Sequence, residues 1–129
     1  MKTLNYSKIH EDCHAAGIAA GIKCRPIPMM VGEGKSIFSN EIDYTKKTYL
    51  LDEGACGFAW ITIRPGNSKL ANAYKKLGLA KSAYGGGVSV WVGEFGQSID
   101  RKSAYANAYA EKLRELTGEE RIYGESRLD

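Results

Sequence analysis

Residues 56–77 read CGFAWITIRPGNSKLANAYKKL, and two periodicities meet inside this stretch. In its first part Phe58, Trp60 and Thr62 alternate with Ala59, Ile61 and Ile63, the period of two that sends successive side chains to opposite faces of a strand. In its second part Leu70, Ala73, Tyr74 and Leu77 recur at i, i+3, i+4 and i+7, the stripe of an amphipathic helix. Arg64-Pro65-Gly66-Asn67-Ser68 supplies the turn and the helix cap between them, and Gly78 closes the helix. A two-faced strand running straight into a helix predicts an α+β fold, with a small antiparallel sheet of about three to four strands against two or three helices.

On the N-terminal side, Ile9, Cys13, Ala16 and Ala20 recur at helical spacing and predict a helix from Ser7 to Gly21. Gly17 and Gly21 lie four apart on one side of it, which marks a tight packing face where another backbone approaches closely, within the subunit or between subunits. Between 23 and 47 no period is sustained, and a connection this long in a compact domain is either functional or wraps a neighbouring subunit. Its Met29, Met30, Val31, Ile37 and Phe38 need cover. Thr48–Leu51 reads as a strand, and the Asp52-Glu53-Gly54 turn predicts that it pairs as a hairpin with Cys56–Ile63.

On the C-terminal side, Tyr84-Gly85-Gly86-Gly87 precedes a third strand, Val88–Val92, with its valines on one face and Ser89 and Trp91 on the other. Gly93 to Gln97 is a turn, Ser98 an N-cap, and Ile99–Thr117 the longest helix, with a buried stripe of Tyr105 or Ala106, Tyr109, Leu113 and Leu116. Gly118 ends it, and the tail through Ile122 and Tyr123 to Asp129 is either a short strand or mobile.

A length of 129 residues predicts one domain spanning 1–129. With 43% hydrophobic and 26% charged residues, no segment carries the bias that keeps a chain disordered. The net charge of +3 is spread along the sequence, too mild to announce duplex-DNA binding but compatible with a small anionic ligand. The three cysteines form no CxxC pair, and the start MKTLNYSKIHEDC lacks the apolar core of a signal peptide, so the reducing cytoplasm is the expected compartment. The weakly polar run from Ala15 to Ile22 falls short of the ~20 residues that span a bilayer.

Four places could carry chemistry. His10-Glu11-Asp12-Cys13-His14 satisfies H-E-x-x-H and, with Glu33 as a third ligand, would suit a zinc metallopeptidase. Glu33 lies in a Pro/Gly-rich loop, and a domain this small leaves little scaffold for a cleft, so a solvated capping face is expected, with no metal or cofactor. Cys13, Cys24 and Cys56 read as packing residues rather than nucleophiles. The three glycines after Tyr84 can form an anion-binding concavity but more simply make a turn. The strongest candidate is the helix start Gln97 to Lys102: unpaired N–H groups, Ser98, Arg101 and Lys102 would face an anion. Trp91 and Phe95 lie just before it, and Arg64 would emerge at a similar sheet end if the two strands pair. With Tyr84 and Tyr105, these nine residues form the expected ligand site, for a planar, nucleotide-like anion.

Gly54-Ala55-Cys56-Gly57-Phe58-Ala59-Trp60-Ile61, Arg64-Pro65-Gly66, Tyr84-Gly85-Gly86-Gly87-Val88, Trp91-Val92, Gly96-Gln97-Ser98 with Arg101-Lys102, and Ala104-Tyr105-Ala106 resemble a family of small phage and prophage proteins. His14-Ala15-Ala16-Gly17 and the close Ser126-Arg127-Leu128-Asp129 are similar too. Most such proteins carry no assigned activity. The nearest functional analogy is the Thoeris anti-defence sponge, which sequesters a cyclic ADP-ribose-type immune signal without chemistry. The sponge analogy implies a homo-oligomer with pockets between subunits, Arg64, Trp91, Gln97 and Arg101 as pocket residues, and no catalytic residue. A protein-directed inhibitor of a host defence factor, docking through the 23–47 loop, is the alternative.

Overall fold

The computed structural model describes residues 5–26, 29–32, 48–51, 55–83 and 85–128. Asn5 opens the first helix, α1 (Tyr6–Lys23), by accepting a 3.1 Å hydrogen bond from the Lys8 N–H. Gly21 does not end α1 as expected; the helix runs on to Lys23, and Gly21 is buried in a packing face with Ile9, Cys13 and Gly17. Two short strands follow, β1 (Met29–Gly32) and β2 (Thr48–Leu51), and they pair with each other in antiparallel register, Met29 opposite Leu51.

The expected hairpin of Thr48–Leu51 with the next strand is therefore corrected. That strand, β3 (Gly57–Ile63), has both edges occupied: it lies between β5 (Val88–Trp91) and β6 (Ile122–Leu128), in the sheet order β4-β5-β3-β6, where β4 is Lys81–Ser82. A strand has two hydrogen-bonding edges, so no place is left for β2. The tail left open as strand or mobile end is the seven-residue strand β6. The Asp52-Glu53-Gly54 turn and most of the 23–47 connection lie outside the described residues.

Two more helices complete the fold. In α2 (Lys69–Lys76), Ser68 accepts from the Ala71 N–H at 3.0 Å; in α3 (Ile99–Thr117), Ser98 accepts from the Arg101 N–H at 3.4 Å. Gly118 ends α3 in the left-handed conformation, φ 75°. The three helices and four-stranded antiparallel sheet make an α+β fold. Among the described residues, no helix is long and apolar enough to cross a membrane.

The alternation in β3 sorts the molecule. Ala59, Ile61 and Ile63 are fully buried, and Val88, Val90, Ile122 and, on α3, Tyr105, Ala106, Tyr109, Ala110 and Leu113 are buried with them. Helix α3 lies directly on β6, where a Cβ on Gly124 would meet the Asn107 Oδ1 at 2.5 Å and Ala106 backbone at 2.9 Å. Helix α1 then packs on α3 through its glycine face: a Cβ at Gly17 would lie 2.6 Å from Tyr105 Cδ2, and one at Gly21 would strike the Phe95 ring.

This seam gives a direct test. Replacing Gly17 with Ala raises helix propensity by ~1 kcal/mol, yet the Tyr105 ring is buried and cannot swing away. Overpacking should prevail, so Gly17→Ala is expected to lose about 1–2 kcal/mol of stability in urea unfolding.

Candidate functional site

Of the nine residues expected to share a site, the eight that are described do not converge on one. Arg64 follows the last residue of β3, whereas the α3 start meets its first, Gly57 N donating to Gln97 O at 3.0 Å and Cys56 bridging Ser98. The two ends are about 23 Å apart at the usual strand rise. The expectation that Arg64 joins the helix start is thus corrected: β3 and β5 pair, but antiparallel, so Arg64 ends up beside Gly87 rather than Trp91. Tyr84 lies outside the described residues.

At the helix start itself, the cations turn inward. Arg101 Nη1 donates to the carbonyls of Gly21 (2.7 Å) and Ile22 (3.4 Å), capping the C-terminal end of α1, where carbonyls lack helical partners. Lys102 is buried, with Nζ 3.4 Å from Gly57 O. The Ile99 N–H is bonded to Ala55 O, and the Ser98 hydroxyl oxygen caps Arg101 N–H. Gln97 is exposed. Phe95, at φ 65°, inserts its ring against Gly21 and edge-on to Tyr105, 6.4 Å away. Tyr105 is in the core.

Trp91 goes the other way. It is 55% exposed, on the face of the sheet opposite the buried valines. By register, Trp60 lies directly across from it, Phe58 and Thr62 share the same face of β3, and Tyr123, Glu125 and Arg127 of β6 stand opposite Thr62, Trp60 and Phe58. The indoles of Trp60 and Trp91 are 5.2 Å apart and tilted by 36°, while Phe58 meets Trp91 edge-on at 6.2 Å. Glu125 Oε2 accepts from both Trp60 Nε1 (3.0 Å) and the Thr62 hydroxyl, which fixes the Trp60 ring in the face. The Arg127 guanidinium sits 5.6 Å from the Phe58 ring centre and Lys102 Nζ 5.7 Å from it, both within cation–π range. This is a pre-set aromatic surface with an exposed guanidinium at one end. Of its members only Trp91 and Lys102 were expected; Phe58 and Trp60 were assigned to this face by alternation, but Arg127 required the tail to be read as a strand.

Comparison with known protein families, curated proteins and solved structures finds no match.

A second cluster occupies the seam between α1 and α3. His10 Nδ1 is 2.7 Å from the Tyr109 hydroxyl, which is 2.9 Å from that of Tyr74; His14 Nδ1 is 2.6 Å from the Tyr105 hydroxyl and 3.9 Å from Glu94 Oε2. Burial holds all three phenols above their usual range, so they stay O–H at neutral pH. Burial chiefly, then His14, pushes His10 below its ordinary 6.5, against smaller upward pulls from Glu94 and Glu11. The three groups form one chain: with the His10 proton on Nε2, Tyr109 donates to His10 Nδ1 and Tyr74 to Tyr109, and with it on Nδ1 both bonds run the other way. The H-E-x-x-H histidines are thus hydrogen-bonded across the helix seam, their rings 5.9 Å apart. Glu33 lies outside the described residues, and among those described no three His, Cys, Asp or Glu are placed to hold a metal ion. Cys13, buried beneath the same seam, has its thiol pushed up to about 12 by burial, which keeps it protonated and a poor nucleophile.

The sign of the pH effect follows. A histidine with a depressed folded-state pKa binds more protons when unfolded, so its stabilisation is complete above 6.5 and is lost as pH falls through the folded value. Wild type is expected to be more stable than His10→Gln at pH 7.5 by about 1 kcal/mol, the usual worth of one hydrogen bond. Thermal melts at falling pH should show that gap closing.

Proposed function

We propose that the protein is a non-enzymatic binder that stacks the base of a small, anionic, nucleotide-derived ligand on the Trp91 face of its sheet. The observation that carries this reading is the exposed Trp91 indole, fixed beside Trp60 and Phe58, with the Arg127 guanidinium near enough to meet a phosphate. A nucleotide offers a flat π-face and a negative tail, and this face offers the complement of each. Rings held by packing and hydrogen bonding lose little freedom on binding, which favours affinity over chemistry. The same reading covers sequestration of a cyclic ADP-ribose-type immune signal in phage counter-defence, the activity of the Thoeris sponge that is the nearest functional analogy. The binding residues are then Trp91, Phe58 and Arg127, with Trp60 as support, whereas Arg101 and Lys102 hold the fold together.

Titration with cyclic ADP-ribose and with adenine mononucleotides, followed by tryptophan fluorescence, is the test, with heat release of retained ligand as a second readout. Quenching is expected. Trp91→Ala should weaken binding by about tenfold or more, since stacking a base on an aromatic ring contributes ~1–3 kcal/mol. Arg127→Ala should weaken it and reduce its salt dependence. If no nucleotide quenches the fluorescence or is retained, the reading fails.

A further inference from the structure

Strand β6 is one edge of the four-stranded sheet, and the hydrogen bonds of its inner neighbour fix which of its backbone groups face outward. Val92 N–H donates to Ala59 O and Arg64 N–H to Arg121 O, so odd-numbered residues of β3 bond toward β5 and even-numbered ones toward β6. Through the register, Tyr123, Glu125 and Arg127 therefore spend their N–H and C=O groups on β3. Those of Ile122, Gly124, Ser126 and Leu128 point outward. The Ile122 carbonyl is already taken by Arg114 Nη1 of α3. Among the described residues, that leaves Gly124, Ser126 and Leu128 as an open pairing edge, flanked by exposed side chains and ending on Leu128, 67% exposed.

We infer that this edge pairs with the same edge of a second copy, β6 against β6 in antiparallel register, with Ser126 opposite Ser126 on the twofold axis. Three two-fold registers engage at least three of the four outward residues, and the side chains discriminate among them. Centring on Glu125 sets two carboxylates face to face and needs the Ile122 carbonyl that Arg114 occupies. Centring on Gly124 sets Arg121 against Arg127. Centring on Ser126 pairs Gly124 with Leu128 and Ser126 with itself through backbone bonds. It also brings Glu125 opposite Arg127 twice, at the non-hydrogen-bonded positions where cross-strand side chains come closest. Trp60 and Thr62 both donate to Oε2 of Glu125, so the partner's guanidinium can be received at Oε1. The result is one continuous eight-stranded sheet in which the aromatic faces of both copies lie side by side. Pairing also hides an edge that carries neither proline nor bulge to guard it.

Sedimentation equilibrium over a concentration series reaching the submillimolar range tests the inference on the full chain. Wild type should dimerise. Ser126→Pro removes an outward N–H at a position where an edge strand tolerates proline, and it should raise the dimer dissociation constant by about tenfold or more while circular dichroism stays unchanged. Arg127→Glu and Glu125→Arg should each dimerise poorly alone and form a heterodimer when mixed, because opposite charges then face each other at both contacts. Should Ser126→Pro fail to fold, the mixing experiment decides. A wild type that stays monomeric throughout, or a dimer indifferent to folded Ser126→Pro and to charge reversal, overturns the inference. Because it is read by mass and not by ligand binding, the outcome is separate from that of the nucleotide titration.

Discussion

Everything in this fold is referred to β3. Its seven residues are hydrogen-bonded along both edges, to β5 and to β6, and its side chains divide strictly between two environments. Ala59, Ile61 and Ile63 lose all contact with solvent under the helices, while Phe58, Trp60 and Thr62 set the composition of the opposite face. A slip of one residue in either pairing would exchange these sets, burying indoles under α3 and exposing the aliphatic row. The position of every residue discussed above, including the separation of Arg64 from the α3 start, follows from that register.

The helical side is organised differently. Glycines at 17 and 21 let α1 approach the rings of Tyr105 and Phe95, but close approach buries polar atoms as well. Two tyrosine–histidine bonds, a tyrosine–tyrosine bond and the Arg101 cap satisfy them. Satisfied in this way, a polar seam fixes one arrangement of two helices where a purely apolar one would permit sliding. Of the residues that suggested chemistry in the sequence, the histidines, Arg101 and Lys102 are absorbed by this packing and by the sheet end.

What could be read in advance was periodicity. The alternation in 57–63 and the helical stripes of α2 and α3 gave the elements, their faces and most of the core. Pairing was not legible, since a turn-rich segment after Thr48–Leu51 suggests a hairpin whether or not the next strand has a vacant edge. The destination of long cations was not legible either: Arg101 and Lys102 look the same in sequence whether they reach for an anion or for carbonyls of a neighbouring element. Tyr123, Glu125 and Arg127 do alternate with Ile122, Gly124 and Ser126, but the glycine and charges dilute the pattern below that of an ordinary strand. Trp91 was singled out correctly as an outward residue, and its neighbours followed only once the register was known.

Cys13 draws a last consequence from the seam. Its thiol is fully buried and held protonated, so it reacts only when α1 lifts away from α3. Its rate of alkylation is then proportional to the fraction of molecules in which that contact is broken. The chain thus carries its own reporter of the detachment of its first helix, set apart from the more accessible Cys24 and Cys56 by its burial.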